Sequence, residues 1–268
     1  MENSVTYARI DWQLGTVPRS EMFDDCYFSV AGGKEETLHN FIGGNRIMER
    51  LARLPQGSSF VIAETGFGTG SNLWVLCEQL RSRFGGSSDS RMNITFISFE
   101  KYPLTPEDLH FYLTGIYRVD PTLFDLERFL SEYRSLKSGE NRFTIVTGER
   151  IEISLILYIG DLNDTIGGFV QSRRACVNAW FLDGFAPSKN AGMWSPVLFN
   201  AMRQSTAAGG TFATFTVAGS VRRGLAAAGF EVRKIPGCGL KREILAGQLP
   251  DNMLNRGYSP LHYEASGN

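Results

Sequence analysis

Two kinds of apolar pattern run along the chain. Short continuous apolar runs, bounded by glycine or acidic residues, predict buried strands, and apolar residues recurring every three to four positions predict helices. On this reading strands cover Ser59–Ala63, Asn93–Phe99, Phe143–Val146, Ile151–Ile159, Ala179–Leu182, Thr211–Phe215, Phe230–Ile235 and Glu243–Ala246. Helices cover Ile42–Leu54, with Ile47, Leu51 and Leu54 on one side and Pro55-Gln56-Gly57 as the stop, then Ser71–Phe84, much of Thr105–Leu136 with a break at Asp120-Pro121, Pro196–Ser205 and Gly219–Ala228. The segment up to Asn45 is irregular and aromatic (Tyr7, Trp12, Phe23, Tyr27, Phe28). Turns are expected there at Pro18-Arg19-Ser20 and Gly32-Gly33, with short strands between them. Gly85–Ser90 reads as a loop, and no internal repeat is visible.

Strands alternating with helices predict a mostly parallel, doubly wound sheet. The last two strands are joined by a short turn around Gly237-Cys238-Gly239. That connection cannot hold a crossover helix, so the pair must run antiparallel. A terminal antiparallel hairpin on a parallel sheet separates the methyltransferase version of this architecture from the usual dinucleotide-binding one. The expected fold is therefore α/β: a Rossmann-like class I methyltransferase core over residues 46–248, a β-rich N-terminal extension over 1–45 packed on it, and a C-terminal tail over 249–268.

Composition narrows the function classes. The 268 residues are 43% hydrophobic, with 19 Phe, 9 Tyr and 4 Trp, enough for a large core. Net charge is −1, which argues against nonspecific coating of nucleic acid but leaves room for a local basic patch. Cys26, Cys77, Cys176 and Cys238 are scattered and only 3 His are present, a pattern of free thiols in a reducing cytoplasm rather than of a zinc site or disulfide framework. The N-terminus lacks a basic segment followed by an apolar one, and no apolar run approaches the roughly 18 residues needed to span a bilayer. The expectation is a cytoplasmic protein without metal or membrane contact.

Candidate chemistry gathers at strand ends. Glu64-Thr65-Gly66-Phe67-Gly68-Thr69-Gly70 lies between a buried strand and a helix, where glycines admit a ligand close to the backbone and the helix N-terminus offers free N–H groups. Nicotinamide- and flavin-binding folds use similar loops, and a glycine-rich turn without a ligand is the bland alternative. Three acids add specificity. Glu100 ends the second strand, where a carboxylate accepts from ribose hydroxyls; Asp161 ends a third and is placed to meet an adenine amine; Asp183 ends a fourth beside the crevice. Each alone reads equally well as a cap or loop charge. Together they suit a cationic sulfonium and ribose better than a pyrophosphate, favouring S-adenosylmethionine over NAD. Asn45, Asn72 and Lys101 complete the candidate cofactor set.

Several runs are more distinctive. They are Pro18-Arg19-Ser20-x-x-Phe23-Asp24-Asp25-x-Tyr27-Phe28-Ser29, Glu35-Glu36-Thr37, Gly44-Asn45, the glycine loop, and Trp180-Phe181-Leu182-Asp183-Gly184-Phe185-Ala186-Pro187-x-Lys189-Asn190-x-x-Met193-Trp194. Ala213-Thr214-Phe215-Thr216-x-Ala218-Gly219-x-Val221-Arg222-Arg223-Gly224-Leu225 and Lys241-Arg242-Glu243 complete them. From Trp12 to Gly247 the chain resembles the methyltransferase part of the MnmC family of tRNA 5-methylaminomethyl-2-thiouridine biosynthesis proteins. Lys34, Ala191-Gly192 and Leu240 depart from that family's pattern. The resemblance implies methyl transfer from S-adenosylmethionine to the aminomethyl nitrogen of a tRNA wobble uridine. It also implies an FAD-dependent oxidase, as a domain or a separate protein, that supplies the amine.

Asp183 is then the expected catalytic residue, orienting the amine first and accepting its proton second. Tyr27, Phe28, Phe185 and Trp194 are candidates to stack on the base, with core packing as the alternative. Lys189 and Asn190 lie in a loop placed to close over it. Arg222-Arg223, Arg233-Lys234 and Lys241-Arg242 are expected to form one basic patch for tRNA phosphates, with solvated surface charge as the alternative. The rival readings are a methyltransferase for another RNA base or a small-molecule amine, a nicotinamide oxidoreductase, and a non-catalytic tRNA- or partner-binding module with a relict cofactor site.

Overall fold

The structure, a computed structural model, describes residues 5–12, 17–28, 33–86, 92–148, 151–239 and 241–251. Gly32, Ser29, Leu240, the 87–90 part of the glycine–serine loop and the tail beyond Asp251 lie outside the described residues. Three two-residue strands open the chain: β1 (Ile10–Asp11), β2 (Arg19–Ser20) and β3 (Asp25–Cys26), an antiparallel three-stranded sheet. Arg19-Ser20 is thus strand rather than the expected turn, and the chain reverses over 21–24 instead, with Asp24 in a left-handed conformation at φ 51°.

The core follows as α1 (Gly33–Glu36), a π-helical stretch (Thr37–Gly43), α2 (Ile47–Ala52), β4 (Ser59–Glu64), α3 (Ser71–Phe84) and β5 (Met92–Glu100). Next come α4 (Pro106–Phe111), α5 (Leu126–Tyr133), β6 (Gly139–Thr147), β7 (Ile151–Ile159), α6 (Leu162–Ser172) and β8 (Val177–Leu182). The chain closes with α7 (Pro196–Ser205), β9 (Thr206–Thr214), α8 (Gly219–Ala227), β10 (Glu231–Pro236) and β11 (Glu243–Gln248).

The eight-stranded sheet has the order β10-β11-β9-β8-β4-β5-β7-β6. The run β9-β8-β4-β5-β7 is parallel, and β11 lies antiparallel between β9 and β10, as the short turn before it requires. At the other edge β6 adds a second antiparallel pairing on β7. Its burial alternates, with Phe143, Ile145 and Thr147 inward and Val146 outward, as an edge strand's should. Central strands are apolar on both faces. In β5, Ile94 and Phe96 join the core beneath α3, α4 and α5, whereas Ile97 and Phe99 join the core beneath α6, α7 and α8.

Two helical expectations change. The pattern from Ile42 does not continue one helix: the chain breaks at Gly43-Gly44, and Arg46 takes φ 52° before α2 begins. Helix α6 carries no clear sequence signal, because Gly167-Gly168 lowers helix propensity by about 1 kcal/mol per residue. It forms through tertiary burial of Leu162, Ile166, Phe169 and Val170 on one face, with the Asp161 side chain capping its N-terminus. Among the described residues no helix is long and apolar enough to cross a membrane.

Candidate active site

Strands β4 and β8 are neighbours whose helices leave on opposite faces, so a crevice opens beyond their carboxyl ends. There a cavity of about 540 Å³ is lined by the glycine loop, the ends of β5, β7 and β8, the π-helical stretch and the N-terminal segment. The loop is fastened on both sides. Phe67 N–H donates to Phe99 O at 3.0 Å, Thr65 N–H donates to Phe181 O at 3.2 Å, and the Thr65 hydroxyl donates to Asp183 O at 2.5 Å. Gly68 has φ 52°, and a Cβ there would stand 3.0 Å from the Tyr27 ring. A side chain would collide with the wall the N-terminal segment supplies.

The rim acids differ in environment. Glu100 accepts from Gly68 N–H and Tyr102 N–H, each at 2.8 Å, one on each carboxylate oxygen. Burial outweighs these bonds and pushes its carboxyl up to about 7. Asp161 caps α6 through Asn163 N–H at 2.9 Å and pairs with Lys101 Nζ at 2.9 Å. The Lys101 bond holds its carboxyl below the usual range. Both remain at the cavity wall, as expected for ends of neighbouring parallel strands.

Asp183 belongs to a network across four elements. Asn72 on α3 donates one amide proton to Glu64 Oε1 and the other to Asp183 Oδ2, both at 2.7 Å. The Thr37 hydroxyl donates to Asn72 Oδ1 at 2.7 Å, which fixes the amide's orientation. Ser98 Oγ donates to Glu64 Oε2 at 2.6 Å, and Gly184 N–H donates to Asp183 Oδ1 at 2.8 Å. Glu64 is 1% exposed, and burial with the nearby Asp183 charge raises its carboxyl well above the ordinary range. Asp183 keeps an opening to the cavity but is surrounded by protein, and desolvation raises it to about 6. Of the two carboxyls Glu64 is sealed from water, whereas Asp183 faces the cavity.

The loop after Asp183 is held by the N-terminal sheet. Gly184 has φ 139°, and a Cβ there would meet Met193 Cε at 2.5 Å. Ala186 N–H donates to Asp25 Oδ2 at 3.1 Å, Lys189 Nζ donates to Asp24 Oδ2 at 2.9 Å, and Phe185 stacks on Phe23 with centroids 4.6 Å apart. Tyr27 meets the Phe185 ring edge-on at 5.2 Å.

Among the sequence candidates, Tyr27, Phe28, Thr65, Gly66, Phe67, Gly68, Asn72, Glu100, Lys101, Asp161, Asp183, Phe185, Asn190 and Lys241 line this cavity. Others stand elsewhere. Asn45 is fully buried and joins Phe41 O, Trp180 O and the Thr211 hydroxyl, knitting the π-helical stretch to β8 and β9. Gly70 meets Trp74 and Phe67, not the cavity. Glu64 acts behind Asp183. Trp194 is 9% exposed with its indole N–H on Phe185 O at 3.0 Å, which makes it a loop support, not an open platform. Lys189 is exposed and paired with Asp24. Arg222, Arg223 and Arg242 are exposed surface residues. Lys241 instead lies over the Phe215 ring at 4.5 Å and within 3.8 Å of Glu36, so the expected basic run is divided between surface and cavity.

Sequence reasoning missed Thr37, Asn40, Phe41 and Met193 as lining residues. Asn40 is 1% exposed, and its Oδ1 has no hydrogen-bond partner among the described residues. An orphaned acceptor in the cavity wall fits a wall completed by a polar ligand. Thr37 and Met193 fall within the distinctive runs; Asn40 and Phe41 have no signal, because a π-helical turn has no periodicity a sequence scan detects.

Residues 125–250 match the family model described as S-adenosyl-L-methionine-dependent methyltransferase. The tRNA 5-methylaminomethyl-2-thiouridine biosynthesis bifunctional protein MnmC of Chromobacterium violaceum is 45% identical over 242 residues, 90% of this chain and 34% of that protein. Its counterpart from Idiomarina loihiensis is 42% identical over 231 residues, 86% of this chain and 36% of that protein. The chain belongs to the methyltransferase part of the MnmC family. It spans about a third of the length of these curated MnmC relatives. The crystal structure of MNMC2 from Aquifex aeolicus superposes with TM-score 0.64 at 26% identity, covering 91% of this chain and 71% of that one. The terminal hairpin therefore belongs to a methyltransferase fold, and the oxidoreductase reading falls.

Proposed function

We propose that this chain methylates the aminomethyl nitrogen of 5-aminomethyl-(2-thio)uridine at the wobble position of tRNA, using S-adenosylmethionine. The observation that carries the reading is Asp183: a carboxylate fixed by donors on both oxygens, raised to about 6, and opening onto a cavity that Glu100 and Asp161 also line. The relatives named for 5-methylaminomethyl-2-thiouridine biosynthesis supply the substrate class. An FAD-dependent oxidase, in a longer protein or apart from it, would supply the amine; the relatives' description as bifunctional supports this.

The residues fit the cofactor. Glu100 has lone pairs left for two ribose hydroxyls, Asp161 and Leu162 flank the space for an adenine, and Gly66 and Gly68 leave the loop without side chains at those two positions. S-adenosylmethionine, when bound, supplies an electrophilic methyl group on its sulfonium. The protein's own task is to present a neutral nitrogen in line with it, and such positioning accounts for much of the available rate gain. Asp183 accepts a hydrogen bond from the amine and, with its carboxyl raised toward neutrality, receives the proton the nitrogen must lose. Phe185 and Tyr27 close the cavity against water beside it. Incubating the protein and cofactor with hypomodified tRNA and measuring the nucleosides by mass spectrometry should show a gain of one methyl group on the aminomethyl uridine. No gain with full-length hypomodified tRNA would reject the assignment.

A further inference from the structure

A second cavity, of about 310 Å³, lies on the face of the sheet that carries α2 and receives Arg46, Arg50, Arg53 and Arg233. Among the described residues none of the four guanidinium groups has a carboxylate within ion-pair distance, although Glu49 and Glu231 also border the space. Glu231 instead accepts from Gln248 Nε2 at 3.2 Å. Arg50 is half-buried and pre-positioned: Nη1 donates to the Thr211 hydroxyl at 2.8 Å, and the guanidinium lies over the Phe60 ring at 5.0 Å. Burial and the neighbouring Arg46 charge together pull the Arg50 group below its usual range. Arg46 itself is held at φ 52°, a conformation that non-glycine residues adopt at a cost. Four like charges against two carboxylates that lie beyond ion-pair distance leave a net positive cavity, which an anion would relieve.

We propose that this cavity holds a backbone phosphate of the RNA substrate, a contact separate from the methyl-transfer site. It rests on the tRNA reading above. Thr211 is level with Ala179 on β8, four residues before Asp183, which places the two sites about 13 Å apart along the strands at about 3.3 Å per residue. Arginine forks match the geometry of phosphate oxygens, and positioning contacts of this kind fix register without reading sequence. Arg233 therefore works with the arginines in and flanking α2, not with Arg222 and Arg223.

The test is the variant Arg46→Ala/Arg233→Ala, both exposed and outside the methyl-transfer cavity, with cofactor binding as the check on folding. Binding of hypomodified tRNA is titrated across potassium chloride concentrations, and methylation is measured at saturating tRNA. The proposal expects roughly tenfold weaker tRNA binding at 0.1 M salt, a salt slope smaller by about one to two, and an unchanged saturated rate. Unchanged affinity and slope in a folded variant would overturn it. So would tRNA binding that is unaffected while pyrophosphate raises the melting temperature of the wild type but not of the variant, which assigns the cavity to a small anion. If wild-type protein binds tRNA and loses this affinity in the variant yet transfers no methyl group, the phosphate site stands and the methylation reading alone fails. If the wild type binds no tRNA, both fall.

Discussion

Replacing Asp183 by Asn removes one oxygen's worth of charge while keeping shape, and the surrounding donors set the consequence. In the wild type Gly184 N–H and Asn72 Nδ2–H each find a carboxylate oxygen. An amide offers one acceptor, so one of these donors faces an NH₂ group. Asn72 cannot turn to relieve the clash, because Thr37 holds its oxygen. The substituted side chain must therefore rotate or lose a bond. Losing a charge-assisted hydrogen bond to the amine costs about 1.5–3 kcal/mol, equivalent to roughly a ten- to hundredfold slower transfer. The pH profile separates the two roles of the carboxylate. With its carboxyl at about 6, Asp183 is ionised at pH 7 and loses charge as pH falls through 6. Single-turnover methylation at saturating cofactor should show a downward break near pH 6 in the wild type and no such break in Asp183→Asn. If Asp183 takes the amine proton, high pH partly rescues the variant, since more amine is already neutral. If it only orients, the deficit is constant. Wild-type rates at every pH would remove Asp183 from the mechanism and move attention to Asp25 and Glu36, which share its cavity.

Other outcomes follow from the same geometry. Gly68→Val should abolish S-adenosylmethionine binding in calorimetric titration while the protein stays folded, because a Cβ meets Tyr27 at 3.0 Å and φ is 52°; retained affinity would place the cofactor elsewhere. Glu100 at about 7 and Asp183 at about 6 are both raised above unfolded values near 4, so the native state holds more protons across that window. Ligand-free protein should accordingly gain stability as pH falls from 7.5 to 5 and lose it below 4, where Asp24 and Asp120, both held at about 2 on folding, begin to protonate; a steady fall in calorimetric melting temperature from 7.5 to 5 would contradict these shifts. Asp25→Ala should expose the Ala186 amide to faster hydrogen exchange with little loss of global stability, since it cuts one tether of the loop after Asp183; unchanged exchange at Ala186 would show that the Phe23–Phe185 stack holds the loop alone.

What the sequence reveals depends on whether a residue's role is local. Glu100, Asp161 and Asp183 are legible because each follows a buried apolar run, and parallel strands bring such positions to one rim. The terminal hairpin is legible because its turn is too short for anything else. Asn72 was a candidate for the cofactor, but its bonds to Glu64 and Asp183 join residues 8 and 111 positions away, and nothing in a helix pattern announces them. The same holds for Asn45, whose buried amide serves the fold, and for Lys241, which a run of basic residues assigns to the surface but tertiary packing turns onto Phe215. Helix α6 was hidden by its paired glycines, and the second arginine cavity by the distance in sequence between α2 and β10.

The pairing of Glu64 with Asp183 explains how a buried carboxylate remains useful here. Two carboxyls this close cannot both ionise cheaply in a poorly solvated place. The fold resolves the conflict by unequal burial. Glu64, at the end of β4, is sealed behind Asn72 and Ser98 with its carboxyl raised well above the ordinary range, whereas Asp183, at the end of β8, opens on the cavity and is raised to about 6. Asn72 can serve both because one NH₂ group carries two protons, one for each acid, and Thr37 from the π-helical stretch prevents the amide from reversing. A change at Thr37 or Asn72 would thus disturb the hydrogen bonding of Asp183 as well as the cavity wall that both residues line. The N-terminal segment is coupled to the same point, since Asp25 and Phe23 hold the loop that follows Asp183. The surroundings of Asp183 are in this way set jointly by the π-helical stretch, α3, β5 and the N-terminal segment.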